Sequence, residues 1–210
     1  MPAIKNLIFD LGGVLINIDY RKPIEAFQQL GVNVTAEWYA KKTQNKLFDD
    51  FETGAISPAE FREEIRKFSG KQLTDDQIDR AWNSILLDFP AQRMELLYEL
   101  KKTHRLFLLS NTNAIHIPEF YQILIRTFGK NPFPEIFEHC YYSHEMGLRK
   151  PHAEIFIRVL KNHDLKPEET FFIDDSPQHV DGAQHAGLQA HWLNLEEENV
   201  NQVFKRKKFV

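Results

Sequence analysis

Apolar residues follow two different rhythms along this chain. Leu7, Ile8 and Phe9 are consecutive and end at Asp10, so Ile4 to Asp10 is predicted as a strand covered on both faces, because a strand with one wet face would alternate. Runs of the same kind recur at Arg105–Ser110, Glu138–Ser143, Thr170–Asp174 and Gln189–Leu193. Between them the spacing turns helical. Met94, Leu97 and Leu100 share a face before the second run, and Ile155, Phe156, Val159 and Leu160 share one before the fourth. Strand and helix in alternation predict an α/β fold with a doubly wound parallel sheet.

The stretch 19–89 breaks this rhythm, since it contains no convincing strand. Ile24, Phe27 and Leu30 form a short helical face. Ser57-Pro58-Ala59-Glu60 reads as a capping box with proline at the first helical position; Phe61, Ile65 and Phe68 follow at helical spacing, and Gly70 stops the helix. Thr74 with Gln77 forms a second capping box before Ile78, Trp82 and Ile85. The expected organisation is therefore a core of residues 1–18 and 90–210, interrupted by a helical insertion at 19–89. Phe48, Phe51 and Trp82 are expected in the core of that insertion, with lining of the cleft as the other reading.

Composition narrows the class. The chain has 210 residues, 42% apolar and 27% charged, with a net charge of −4. Neither that charge nor its distribution points to nucleic acid or a membrane surface as partner. The basic run Lys205-Arg206-Lys207-Lys208 reads as a solvated terminal tail. One cysteine, Cys140, excludes an intramolecular disulfide and sits in a run that suggests packing. No apolar stretch has the length of a membrane span, so a cytoplasmic location is the default expectation. Nine histidines invite a zinc reading, but His139 and Cys140 would diverge on a strand, and His179 and His185 lack the i, i+4 spacing of a helical pair.

In open α/β sheets ligands bind beyond the carboxyl ends of the strands. Those ends carry Asp10-Leu11-Gly12-Gly13, Ser110-Asn111-Thr112-Asn113, Gly147-Leu148-Arg149-Lys150-Pro151 and Asp174-Asp175-Ser176. Asp10, Asp174 and Asp175 would gather three carboxylates; at 4 Å each pair repels by about 4 kcal/mol at an effective dielectric near 20, so such a cluster needs a cation. All-oxygen ligation favours magnesium. A carboxylate can also act as a nucleophile, Ser110 can hold phosphoryl oxygens, and Lys150 can neutralise developing charge. Each residue alone is a weak signal: an aspartate often only caps a turn, and Ser176 before Pro177 is explained as a helix cap.

The ordered set resembles the haloacid dehalogenase superfamily. The four segments are Phe9-Asp10-Leu11-Gly12-Gly13-Val14-Leu15, Leu109-Ser110-Asn111-Thr112, Lys150-Pro151 and Phe172-Ile173-Asp174-Asp175-Ser176, and the 19–89 insertion looks like that family's C1-type helical cap, with Phe51-Glu52-Thr53-Gly54 inside it. The resemblance implies a magnesium-dependent phosphatase for a small phosphorylated metabolite. Asp10 would be the nucleophile that forms an aspartyl-phosphate. Asp10, Asp175 and the Gly12 carbonyl would bind magnesium, with Asp174 as a further metal or supporting acid. Ser110, Asn111 and Lys150 would hold the phosphoryl group.

One departure matters. Phosphatases of this family carry an acid two residues after the nucleophile, and here that residue is Gly12. The pattern looks like the glucose-1-phosphatase-like branch, which would fit a good leaving group such as an anomeric sugar phosphate; a proton from another residue, such as one in the cap, and phosphate binding without much turnover are the other solutions. A 2-haloacid dehalogenase would leave the Asp174-Asp175 pair unexplained. A phospho-accepting module would carry its acid pair after the first strand and would lack the insertion.

Overall fold

The structure is a computed structural model that describes residues 3–34 and 46–209. Five strands, β1 (Asn6–Phe9), β2 (Arg105–Ser110), β3 (His139–Tyr142), β4 (Thr170–Asp174) and β5 (Gln189–Trp192), form one sheet in the order β3-β2-β1-β4-β5, and every neighbouring pair is parallel. The fold is the expected doubly wound α/β sheet. Consecutive apolar residues on the central strand serve opposite faces. Leu7 and Phe9 join a cluster with α5 (Ala91–Leu100), α6 (His116–Phe128) and α11 (Val200–Arg206), while Ile8 joins one with α9 (Ala153–Asn162) and α10 (Pro177–His185). All three are fully buried, which is why the run does not alternate.

Some boundaries differ from those read off the sequence. β1 is shorter than Ile4–Asp10, because the chain bends into a tight loop after Asp10, where Leu15 and Ile16 donate back to the Leu11 carbonyl. β3 stops before Ser143, which opens the one-turn helix α8 (Ser143–Met146) and exchanges hydrogen bonds with the Thr112 backbone. The short helix α7 (Phe133–Ile136) precedes β3. The basic run at 205–208 is exposed, as expected, but it is not wholly a tail: Lys205 and Arg206 close α11, whose Phe204 stacks on Phe9 at 5.3 Å.

Residues after β1 form a helical layer: α1 (Arg21–Gln29), α2 (Lys46–Glu52), α3 (Pro58–Ser69) and α4 (Asp75–Asn83). Both expected capping boxes are present, Ser57 with Glu60 and Thr74 with Gln77, and Gly70 ends α3 in the left-handed conformation. Phe27, Phe51, Phe61, Ile65, Ile78 and Trp82 give this layer its own apolar cluster. Part of the expected insertion, 35–45, lies outside the described residues. The two chain crossings between layers run side by side: Leu87 donates to Asn17, Asn17 to Asp88 and Asp19 to Ile85.

Gly182 places α10. A Cβ there would sit inside the van der Waals shell of the Pro151 carbonyl oxygen. Alanine in a helix interior normally gains roughly 1 kcal/mol over glycine, but overpacking costs about 1–3 kcal/mol, and here the obstacle is backbone. Gly182→Ala is therefore expected to lower the melting temperature despite its better helix propensity; a thermal unfolding scan measures it, and a raised midpoint would contradict this packing.

Candidate active site

Three adjacent strands deliver the acids and the hydroxyl. Phe9 is level with Leu108 and Ile173, so Asp10, Ser110 and Asp174 emerge together at the carboxyl edge of the sheet. Lys150 comes from the loop between α8 and α9 and reaches the same point with no solvent exposure. Its Nζ donates to Asp10 Oδ1 at 2.6 Å, to Asp174 Oδ2 at 2.6 Å and to the Leu109 carbonyl at 2.9 Å. All three ammonium donors are thus used, which is what a buried lysine requires.

Electrostatics distinguish the two acids. Burial pushes the Asp10 carboxyl up to about 6; Lys150 opposes that push, and Asp174 and Asp175 add to it. Asp174 is equally buried, but Lys150 and His179 outweigh the desolvation and hold it well below the usual carboxylate range. Burial alone would lower the Lys150 ammonium, yet the two carboxylates outweigh it and hold its pKa above the ordinary lysine value. Asp174 accepts from Lys150, from His179 Nδ1 at 3.0 Å and from the Ser176 N–H at 2.8 Å. Ser176 therefore contributes its backbone here, and its hydroxyl makes no capping bond to α10.

Asp10, Asp174 and Asp175 each offer an oxygen, all within 4.8 Å of one another. Three carboxylates against one ammonium leave excess negative charge, and an all-oxygen donor set of this size suits magnesium. Both Asp174 oxygens already accept from protein donors, which sets it apart as the supporting acid of the three. Gly13 makes room for Asp175: its φ of +74° favours glycine, and a Cβ would lie 2.7 Å from Asp175 Oδ2.

The remaining expected residues divide. The Ser110 hydroxyl has only a long 3.4 Å contact to the Asn111 carbonyl, so it is available at the cavity floor. The Asn111 side chain has a further task. Its Nδ2 donates to the Lys150 carbonyl and its Oδ1 accepts from the Lys150 N–H, both at 2.9 Å. These bonds position the lysine loop, and Asn111 lines the cavity as well. The Gly12 carbonyl was expected as a ligand; Gly12 itself lines the cavity.

Phe48 and Trp82 belong to the helical layer's core and also wall the cavity, whereas Phe51 stacks on Phe61 inside the layer. Several other lining residues were not anticipated. His116 lies flat against Trp82 at 5.4 Å and donates from Nδ1 to Asn83 Oδ1; burial pushes its pKa down to about 3. Ile18 borders Gly12, and a Cβ at Gly12 would meet Ile18 Cδ1 at 3.3 Å. Arg149, buried beside Lys150, ion-pairs with Asp49 at 2.6 Å and Glu52 at 2.7 Å on α2. Arg21 instead pairs with its neighbour Asp19 at the surface. Cys140 is half-buried, and burial pushes its thiol up to about 12. No helix among the described residues is long and apolar enough to cross a membrane.

A parallel sheet with an acid cluster and a buried lysine at its carboxyl edge, roofed by helices, is the arrangement of haloacid dehalogenase-type hydrolases. A model of haloacid dehalogenase-like hydrolases matches residues 4–187, and the chain belongs to that family. It is 31% identical over 201 residues, 93% of each chain, to D-ribitol-5-phosphate phosphatase of Bacteroides thetaiotaomicron. It is 27% identical to a sesquiterpene phosphatase of Aspergillus oryzae over 88% of this chain and 87% of the other. Among solved structures, a HAD family enzyme from Bacteroides thetaiotaomicron, as an Asp-to-Ala mutant complexed with magnesium and inorganic phosphate, superposes with a TM-score of 0.87 at 38% identity, covering 96% of this chain and 99% of that one. Two 2-haloacid dehalogenases, at 18% and 21% identity, share the fold alone.

Removing the Asn111 amide frees the backbone of Lys150 while leaving its ammonium chemistry intact. Asn111→Ala is expected to cost about 1–3 kcal/mol of stability through unsatisfied buried groups. Chemical denaturation measures it, and an unchanged midpoint would show that the lysine loop holds itself.

Proposed function

We propose that this hydrolase cleaves phosphomonoesters of small metabolites with magnesium, through an aspartyl-phosphate on Asp10. The observation that carries the reading is Lys150 Nζ, held 2.6 Å from both Asp10 and Asp174 beside the third acid, Asp175. Named phosphatases among the relatives, and a structural neighbour that holds magnesium and phosphate, support it.

Asp10 and Asp175 would hold the ion, with the Gly12 carbonyl and Asp174 as the further candidates. Bound there, magnesium would offset the carboxylate charge and polarise the phosphoryl oxygens. Asp10 Oδ1 accepts from Lys150, so we assign attack on phosphorus to Oδ2. As that bond forms, the ester oxygen departs with a proton, and water then displaces phosphate from Asp10. Ser110 Oγ steadies the transferred group, and Lys150 balances its charge. Residues 19–89 would serve as a cap that excludes water.

The cavity volume of about 160 Å³ suits a small metabolite better than a polymer. An anomeric sugar phosphate such as glucose 1-phosphate would need little help to leave. A primary phosphate, as in the ribitol 5-phosphate named for a relative, would need a proton. Both kinds of metabolite fit a cytoplasmic setting.

Phosphate release should require magnesium, vanish with EDTA and return on adding the ion. Asp10→Asn keeps the volume and should lose at least roughly 10⁴-fold; turnover surviving in that variant would reject the mechanism.

A further inference from the structure

A phosphatase with glycine two residues after its nucleophile must either take activated esters or find its proton elsewhere. Ile18 offers no substitute: the space beside Gly12 is filled by an apolar side chain that can donate no proton. Among the described residues, three carboxylates line the cavity that holds the nucleophile: Asp10, Asp175 and Glu52. The first two belong to the acid cluster. Two histidines also line it. His116 is stacked on Trp82 with its Nδ1–H spent on Asn83, and His179 Nδ1 faces Asp174. That leaves the carboxyl at the end of α2.

We infer that Glu52, delivered by the helical layer, protonates the departing oxygen of the substrate in place of the acid absent at Gly12. This assignment rests on the phosphatase reading above. Its physical basis is a charge mismatch. Arg149 is one cation between two carboxylates, with Nη1 at 2.6 Å from Asp49 and Nη2 at 2.7 Å from Glu52. One negative charge is left over. The Asp49 side chain is 40% exposed and sheds its charge to solvent, whereas Glu52 is 22% exposed and faces the cavity. Burial raises the Glu52 pKa most, Arg149 and His179 oppose it, and Asp49 adds to it; the net direction is upward. A carboxyl with raised proton affinity over a phosphoryl site is suited to general acid work.

The step balances. As the Asp10–phosphorus bond forms and the ester P–O bond breaks, the Glu52 O–H proton passes to the ester oxygen and an alcohol leaves. Water then attacks the aspartyl-phosphate, its protons leave with the phosphate product, and Glu52 takes a proton back from solvent, so both side chains return to their starting states. Arg149 immediately precedes Lys150, so seating α2 on Arg149 would bring the acid over the site only when the layer is closed.

The test is a leaving-group series on the full chain with magnesium, from 4-nitrophenyl phosphate to simple alkyl phosphates, comparing wild type, Glu52→Gln and Asp49→Asn. Glu52→Gln is expected to lose about 10²-fold on alkyl phosphates and under about 3-fold on 4-nitrophenyl phosphate, whose leaving group needs no proton; retained turnover of that ester also shows the variant is folded. Asp49→Asn removes the charge that favours the protonated form of Glu52 but keeps its carboxyl, and should lose on alkyl phosphates by a smaller factor than Glu52→Gln does. Equal losses for Glu52→Gln on both esters, or a bias in Asp49→Asn as large as in Glu52→Gln, would overturn the assignment and leave Glu52 as a structural tie. A wild-type chain inert on every ester would instead overturn the phosphatase reading, and this assignment with it.

Discussion

An ammonium shut away from water between two carboxylates is the constraint around which this molecule is organised. Burying Lys150 would cost several kcal/mol without partners, and it is tolerable only because Asp10, Asp174 and the Leu109 carbonyl take all three of its protons. Those acceptors come from three neighbouring strands, so the sheet register and the charge network depend on each other. The loop that brings the lysine in is held from one side by both ends of the Asn111 amide and from another by the bare backbone of Gly182.

The same network remains unbalanced, and its imbalance is useful. Asp175 adds a third carboxylate within reach of the other two, which leaves a site that resists full ionisation until a cation arrives. Asp174, with its oxygens held by Lys150, His179 and the Ser176 amide, stays charged and orients the lysine. Asp10, with the raised pKa, is the acid whose charge is stabilised most when an ion shares it. Two chemically identical side chains thereby take different roles through their surroundings.

A second charge mismatch lies above the first. Arg149 sits next to Lys150 in the chain but turns toward the helical layer, where it meets Asp49 and Glu52. Two adjacent cations thus face opposite ways, one securing the catalytic acids and the other the roof. The Gly12–Ile18 contact belongs to the same arrangement, because the residue that fills the vacated acid position lies in the crossing between core and roof. The roof and the loop after β1 are therefore joined by short-range packing as well as by charge.

The sequence by itself determined the strand positions, the two capping boxes and the order in which Asp10, Ser110, Lys150 and Asp174 arrive at the sheet edge. Those features are local: consecutive apolar residues, i to i+3 caps and acids at strand ends depend on neighbours in the chain. Only the tertiary structure decided what Asn111, Ile18, Glu52 and Arg149 do. Their partners lie far away in sequence, 39 residues for Asn111 with Lys150 and 100 for Arg149 with Asp49, and no periodicity announces such pairs. Phe48 and Trp82 show the same limit. Helical spacing says that an aromatic is buried, but whether its other edge faces a cavity depends on how two layers meet.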